Sequence, residues 1–143
     1  LGFEVRICDS PKYITDSCNL IITTTAATEP ILFTDDIQPG THITAMGSDT
    51  PAKQELDSNI LGKADCVIAD SISQCVERGE ISHALKDGKL TKNNIVELGH
   101  VLNGQHPGRT SQDQITVADL TGVAVQDIQI ATAVYESYLE KQS

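Results

Sequence analysis

An α/β fold built around a mostly parallel sheet is the fold class this sequence predicts. Three observations lead there. Strand-like runs alternate with helical patterns along the chain, the arrangement that parallel sheets need. The run Asn19-Leu20-Ile21-Ile22-Thr23-Thr24-Thr25 is β-branched and nearly continuous, the pattern of a strand covered on both faces. The length of 143 residues suits one domain with a real core and is thin for two.

The elements follow in order. Residues 3–8 alternate apolar and polar side chains and read as a first strand. Ser10 and Pro11 mark a short helix that ends near Asp16 or Ser17, with Ser at the cap and Pro at the first helical position. Residues 19–25 are the second strand. Pro39-Gly40 turns the chain into a third at residues 41–47. Residues 53–61 read as a short helix. Residues 65–70 form a fourth strand, and Ser71 caps a helix that runs to Arg78 or Gly79. Residues 94–102 read as helix, stopped at Asn103-Gly104, and residues 114–118 as a fifth strand. A long helix from Val123 to the region of Lys141 closes the chain. Ala124, Ile128, Ala131, Tyr135 and Tyr138 form its apolar face, and Thr121 and Gly122 mark its start.

Composition narrows the function. Ten Lys+Arg against twenty Asp+Glu give a net charge of −10, which argues against nucleic acid and anionic membranes as partners. Aromatics are 3% and Trp is absent, so little is available to stack on bases. No apolar run approaches the roughly 20 residues that span a bilayer. Cys8, Cys18, Cys66 and Cys75 form no Cys-x-x-Cys pair, and the four histidines do not cluster at ligand spacing. The cysteines read as reduced thiols of a cytoplasmic protein, with no metal site.

Ligands of open α/β sheets bind at the carboxyl ends of the strands. Three segments put polar residues there: Thr23-Thr24-Thr25-Ala26, the stretch from Met46 to Lys53, and Ala118-Asp119-Leu120-Thr121-Gly122. The second is the richest. Gly47 lets backbone approach a ligand closely. Asp49 can act as a general base or as counter-charge to an ammonium. Lys53 can pair with a phosphate or carboxylate. The plainer alternative is a turn, with Asp49 in an Asx-turn and Lys53 solvated. Likewise the Thr run can be strand filling, and Asp119 can help cap the last helix. No Gly-x-Gly-x-x-Gly or other Gly-rich phosphate loop occurs.

In this order, the segments resemble the ornithine cyclodeaminase/μ-crystallin family. Ile21-Ile22-Thr23-Thr24-Thr25 followed by Glu29-Pro30 is similar to its "V-T-x-T…E-P" segment. Pro39-Gly40-Thr41-His42, Ala45, Gly47, Asp49, Pro51, Lys53 and Glu55-Leu56 are similar to its "P-G-x-H-x-N-A-x-G-x-D-x-P-x-K-x-E-L". Gly104 and Gly108-Arg109 match "G…G-R", and residues 115–127 match "I-T-x-x-D-x-x-G-x-A-x-Q-D". The resemblance implies a partial Rossmann-like domain that uses NAD or NADP, in a family of cyclodeaminases, alanine dehydrogenases and ketimine reductases acting on small amino acids. It implies Asp49 as the acid/base at the substrate amine. Thr25, Met46, Gly47, Ser48 and Lys53 would lie along the dinucleotide. Leu120 and Thr121 would border the nicotinamide–substrate pocket, Leu120 on the cofactor side and Thr121 on the substrate side. Cyclodeaminases usually read Asp-Ser-Val-Gly where this chain reads Asp119-Leu120-Thr121-Gly122, which turns the expectation from ornithine toward the ketimine-reductase and ectoine-utilisation branch. Thr44 stands where Asn is common.

The resemblance begins inside the family's chain, and Leu1 is not Met, so a preceding segment is expected to be missing. The absent parts are the N-terminal substrate domain and the first β-α-β unit with its Gly-rich turn. Residues 1–143 are thus expected to form a single incomplete domain, 1–118 its cofactor half and 119–143 its C-terminal helix. With residues 3–8 as Rossmann strand 3 and 19–25 as strand 4, the sheet would have a gap where strands 1 and 2 belong. A homo-oligomer or an N-terminal partner half is expected to close it. Alone, the chain is expected to be inactive, with weak or no cofactor binding. The alternative function is a stand-alone oligomeric α/β module without catalysis, its pocket residues relics or a small-ligand site, and a third reading is one part of a split enzyme.

Overall fold

A computed structural model describes residues 2 and 4–142. Its strands are β1 (Leu20–Thr23), β2 (His42–Ala45), β3 (Cys66–Ala69), β4 (Ile95–Glu97) and β5 (Thr116–Asp119). The helices are α1 (Pro11–Ser17), α2 (Ser58–Lys63), α3 (Ile72–Cys75), α4 (Glu80–Lys86), α5 (Leu98–Leu102) and α6 (Ala124–Glu140). The five strands form one wholly parallel sheet in the order β1-β2-β5-β3-β4.

Register assigns each side chain to a face. Ile21 pairs with Ile43, Ile43 with Val117, and Val117 with Val67. These residues, with Ala45, Ala69 and Ile95, pack under Leu56, Ile60, Leu61, Ile81 and Ala84 as the main core. The opposite face is covered over β3 and β5, where Cys66, Ile68 and Ala118 meet Leu98, Val101 and Leu120. Over β1 that face is open: Leu20 is 61% exposed and Ile22 60%. The strand at 19–25, expected to be covered twice, is therefore an edge strand covered once, with Ile21 and Thr23 buried and Leu20 and Ile22 facing an open cleft lined on its far side by Pro11 and Ile14.

Other expectations are corrected. Residues 4–8 form no strand, and Phe3 lies outside the described residues. The sheet has no internal gap, since β1 pairs directly with β2 and is itself the open edge. Residues 53–57 are not helical, because their backbone is spent elsewhere: the Ile31 amide donates to the Glu55 carbonyl at 2.8 Å, and Leu32 bridges Leu56. Helix begins only at Ser58, where Asp57 accepts from the Asn59 amide. The helix after Ser71 stops at Cys75, and a separate helix, α4, follows Gly79. Neither Ser10 nor Ser71 makes a side-chain cap bond. Residues 95–97, read as helix, are β4. The apolar face of α6 is solvent-exposed along the whole helix.

The amino end of the sheet is held by Arg109, whose guanidinium donates to the carbonyls of Gly40 (2.9 Å), Thr41 (3.1 Å) and Gln114 (2.7 Å). Gly108-Arg109 thus ties loops at the end opposite the candidate site. All four cysteines are free, and Cys75 is fully buried.

The two faces predict different mutational costs. Ile43→Ala, at a fully buried site, should lose about 3 kcal/mol in urea unfolding. Ile22→Thr on the open face should change stability by no more than about 0.5 kcal/mol.

Candidate functional site

The carboxyl ends of β1, β2 and β5 lie side by side because Thr23 pairs with Ala45 and Ala45 with Asp119. The ladder continues past them: the Met46 amide donates to Thr23 and the Leu120 amide to Ala45, both at 2.9 Å. Thr25, Met46, Gly47 and Leu120 are thereby gathered on one edge of the sheet. The cleft beside β1, about 360 Å³, runs from Pro11 and Ile14 along the strand to Thr25.

The loop after β2 is held by its own bonds. Asp49 and Lys53 form an ion pair at 2.7 Å. The Lys53 ammonium, hydrogen-bonded to Asp49, holds that carboxyl below the usual range, and the Arg78 guanidinium adds to the pull. Ser48 is buried, its hydroxyl donating to the Lys53 carbonyl at 2.6 Å. His83 Nε2 lies 2.9 Å from the same carbonyl. Met46 stays half exposed. Thr121 is buried, 3.9 Å from the Cys75 thiol, and so faces the interior. Burial beside Asp119 and Asp70 pushes that thiol up to about 12.

Gly47 has a steric reason to be glycine. A Cβ there would overlap the Thr25 carbonyl oxygen and the Glu55 carboxyl group. The close approach expected of Gly47 is thus made to the protein itself.

Three buried carboxyl groups hold this edge together: Glu55 and Glu80, which had no role from sequence, and Asp119, which was expected to help cap the last helix. Glu55 accepts from the Thr23 hydroxyl at 2.6 Å, the Thr25 amide at 2.5 Å and the Gly47 amide at 2.9 Å. Glu80, at the start of α4, accepts from the amides of Glu55 (2.8 Å) and Leu56 (3.1 Å). Asp119 accepts from the Ile81 amide at 2.8 Å, so it caps α4 rather than the last helix. Glu55 and Asp119 stand in the quoted motifs, and Glu80 directly follows a glycine; these are the signals the sequence offers. Burial pushes Glu80 up to about 7 and Asp119 up to about 8, and each raises the other or is raised by a neighbouring carboxylate.

An all-parallel sheet with its polar loops on the carboxyl edge is a Rossmann-like α/β domain. The chain belongs to the ornithine cyclodeaminase/mu-crystallin family, whose profile matches residues 1–142. An uncharacterized cyclodeaminase, y4tK, of Sinorhizobium fredii is 39% identical over 143 residues, which are 99% of this chain and 43% of that protein. An archaeal alanine dehydrogenase dimer with bound NAD superposes with a TM-score of 0.83 and 38% identity, over 88% of this chain and 39% of that one. The Δ1-pyrroline-2-carboxylate reductase of Thermococcus litoralis, in complex with NADH and L-proline, superposes with a TM-score of 0.91 and 28% identity, over 99% of this chain and 44% of that one. The chain therefore spans about two fifths of the length of the relatives it matches. Among the described residues no helix is long and apolar enough to cross a membrane.

The carboxyl network predicts a pH dependence. Both acids have folded values above the unfolded 4.5 of Glu80 and 3.8 of Asp119. Their contribution is then fully present below about pH 4 and is lost as pH rises through about 7 and 8. Urea unfolding should show stability falling between pH 5 and 8, and Glu80→Gln should flatten that slope.

Proposed function

We propose that this chain supplies the nicotinamide-side wall and the acid/base group of an NAD(P)-dependent enzyme. Its reaction is hydride transfer at an amino-acid α-carbon, in deamination or ketimine reduction. The observation that supports this most is the gathering of Thr25, Met46, Gly47 and Leu120 on the carboxyl edge beside the loop that bears Asp49. The relatives with bound NAD or NADH support the cofactor class. The reductase with L-proline supports a small amino or imino acid as substrate.

The residues fit the nicotinamide end of a dinucleotide. Met46 and Leu120 offer apolar sides, Thr25 a hydroxyl, Ser48 a stiffened loop and Lys53 a cation. A bound nicotinamide dinucleotide supplies the hydride acceptor or donor. This chain's own contribution is to orient and to handle the proton. Asp49, ionised and half exposed, pairs with the substrate ammonium or iminium and takes or returns its proton. Lys53 leaves Asp49 to do so, and Thr121 stiffens the substrate side from within. The reading Asp119-Leu120-Thr121-Gly122 favours an imino-acid substrate over ornithine. With no Gly-rich phosphate loop in the sequence, the chain by itself binds dinucleotide weakly or not at all and does not turn over.

A second reading is favoured by one observation. Helix α6 exposes Ile128, Val134, Tyr135 and Tyr138, each 57% or more. That surface suits a stand-alone module that self-associates without catalysis.

Two measurements decide. In the protein made from its full reading frame, Asp49→Asn should lower kcat by about 100-fold or more and leave the Kd for NADH unchanged; undiminished turnover sinks the role of Asp49. Light scattering combined with NADH and NADPH titration of that same full-reading-frame protein separates the two readings: an oligomer that binds neither nucleotide favours the second, and nucleotide binding favours the first.

A further inference from the structure

Glu55 is the most heavily used side chain at the carboxyl edge. It is fully buried, and both of its oxygens accept hydrogen bonds. One oxygen takes the Thr25 amide; the other takes the Gly47 amide and the Thr23 hydroxyl. These donors belong to two different strand ends, so one carboxyl group sets the spacing between the loop after β1 and the loop after β2. The missing Cβ of Gly47 is what lets the carboxyl group sit there. Its own backbone is fixed in turn by Glu80, which accepts from the amides of residues 55 and 56, and Glu80 begins the helix that Asp119 caps.

From this geometry we infer that Glu55 is a positioning residue for the dinucleotide: it touches no ligand, and it fixes Thr25 and Gly47 at the spacing the cofactor requires. The inference rests on the cofactor reading above and adds to it the group on which that reading depends. A carboxyl group suits the task because both of its oxygens accept. In a glutamine one oxygen becomes an NH2, so whichever way the amide turns, a donor faces either the Thr25 amide or the Gly47 amide. That amide loses its partner, and its loop is free to shift. An aspartate falls one methylene short of all three donors.

The test uses the protein from its full reading frame. Amide hydrogen exchange at Thr25 and Gly47 and the Kd values for NADH and NADPH are measured in wild type, in Glu55→Gln and in Thr23→Val. Glu55→Gln should speed exchange at one or both amides by about tenfold and leave the Ile43 and Val117 amides unchanged. The nucleotide Kd should rise by about tenfold, with KM for the nucleotide rising more than kcat falls. Thr23→Val removes one donor, keeps a β-branched side chain, and should raise Kd by about threefold. It decides the matter if Glu55→Gln does not fold. Unchanged exchange at both amides overturns the inference. Faster exchange with unchanged Kd also overturns it, because Glu55 is then only structural. A wild type that binds neither nucleotide overturns the cofactor reading itself and takes the positioning role with it, and that failure is visible before any variant is made.

Discussion

Backbone amides at the carboxyl edge of this sheet are satisfied by buried carboxyl groups, and the rest of the architecture follows from that constraint. Where parallel strands end inside a domain, the amides of the departing loops lose their ladder partners and cannot be left bare. Glu55 takes those of Thr25 and Gly47. Glu80 takes those of residues 55 and 56, and Asp119 takes that of Ile81. Each acceptor is held by a segment that the next one fixes. The order runs from β5 through α4 and the stretch before α2 to the ends of β1 and β2. Three acids in so small a volume lose hydration and, secondarily, repel one another, which explains the raised values of Glu80 and Asp119.

This chain of contacts joins the two loops that carry the proposed site. The segment around Asp49 leaves β2 and the segment around Thr121 leaves β5, and those strands are neighbours. The outer surface of the first loop stays accessible, with Asp49 and Met46 half exposed. Its inner surface is spent on Glu55, Ser48 and the Lys53 carbonyl. A rigid inner layer under an accessible outer one is what a site needs if binding is not to be spent on ordering loops. The two sheet faces show the same division. One is sealed by α2 and α4, while the other is open over β1.

Much of the fold was legible in the sequence because period-2 apolar runs are local signals. The strands at 20–23, 42–45 and 66–69 fall inside the runs read as strands, and that at 116–119 runs one residue past the run read at 114–118. The helices at 11–17 and 124–140 follow from Pro11 and from helical spacing. The failures share a cause. Residues 53–57 have helical composition, yet their backbone bonds go to Ile31, Leu32 and Glu80, partners distant in sequence. Ile95 to Glu97 become strand because β3 offers them an edge. Leu20 and Ile22 have the composition of doubly covered residues, and only the layout of helices decides that one face stays open.

The sequence by itself determined the α/β class, the family, and the segments proposed to hold the site, because motif spacing and side-chain periodicity are properties of the chain. It placed Asp49 and Gly47 without saying what they touch. Tertiary structure decided that Lys53 meets Asp49, that Thr121 turns inward, and that Gly47 is small to make room for Glu55. It also decided that Glu55, Glu80 and Asp119 replace the missing ladder partners. Those assignments join residues 24 to 46 positions apart, or lie within a loop whose path other segments fix. No local pattern encodes such pairings, since each exists only once the strands have been brought into register.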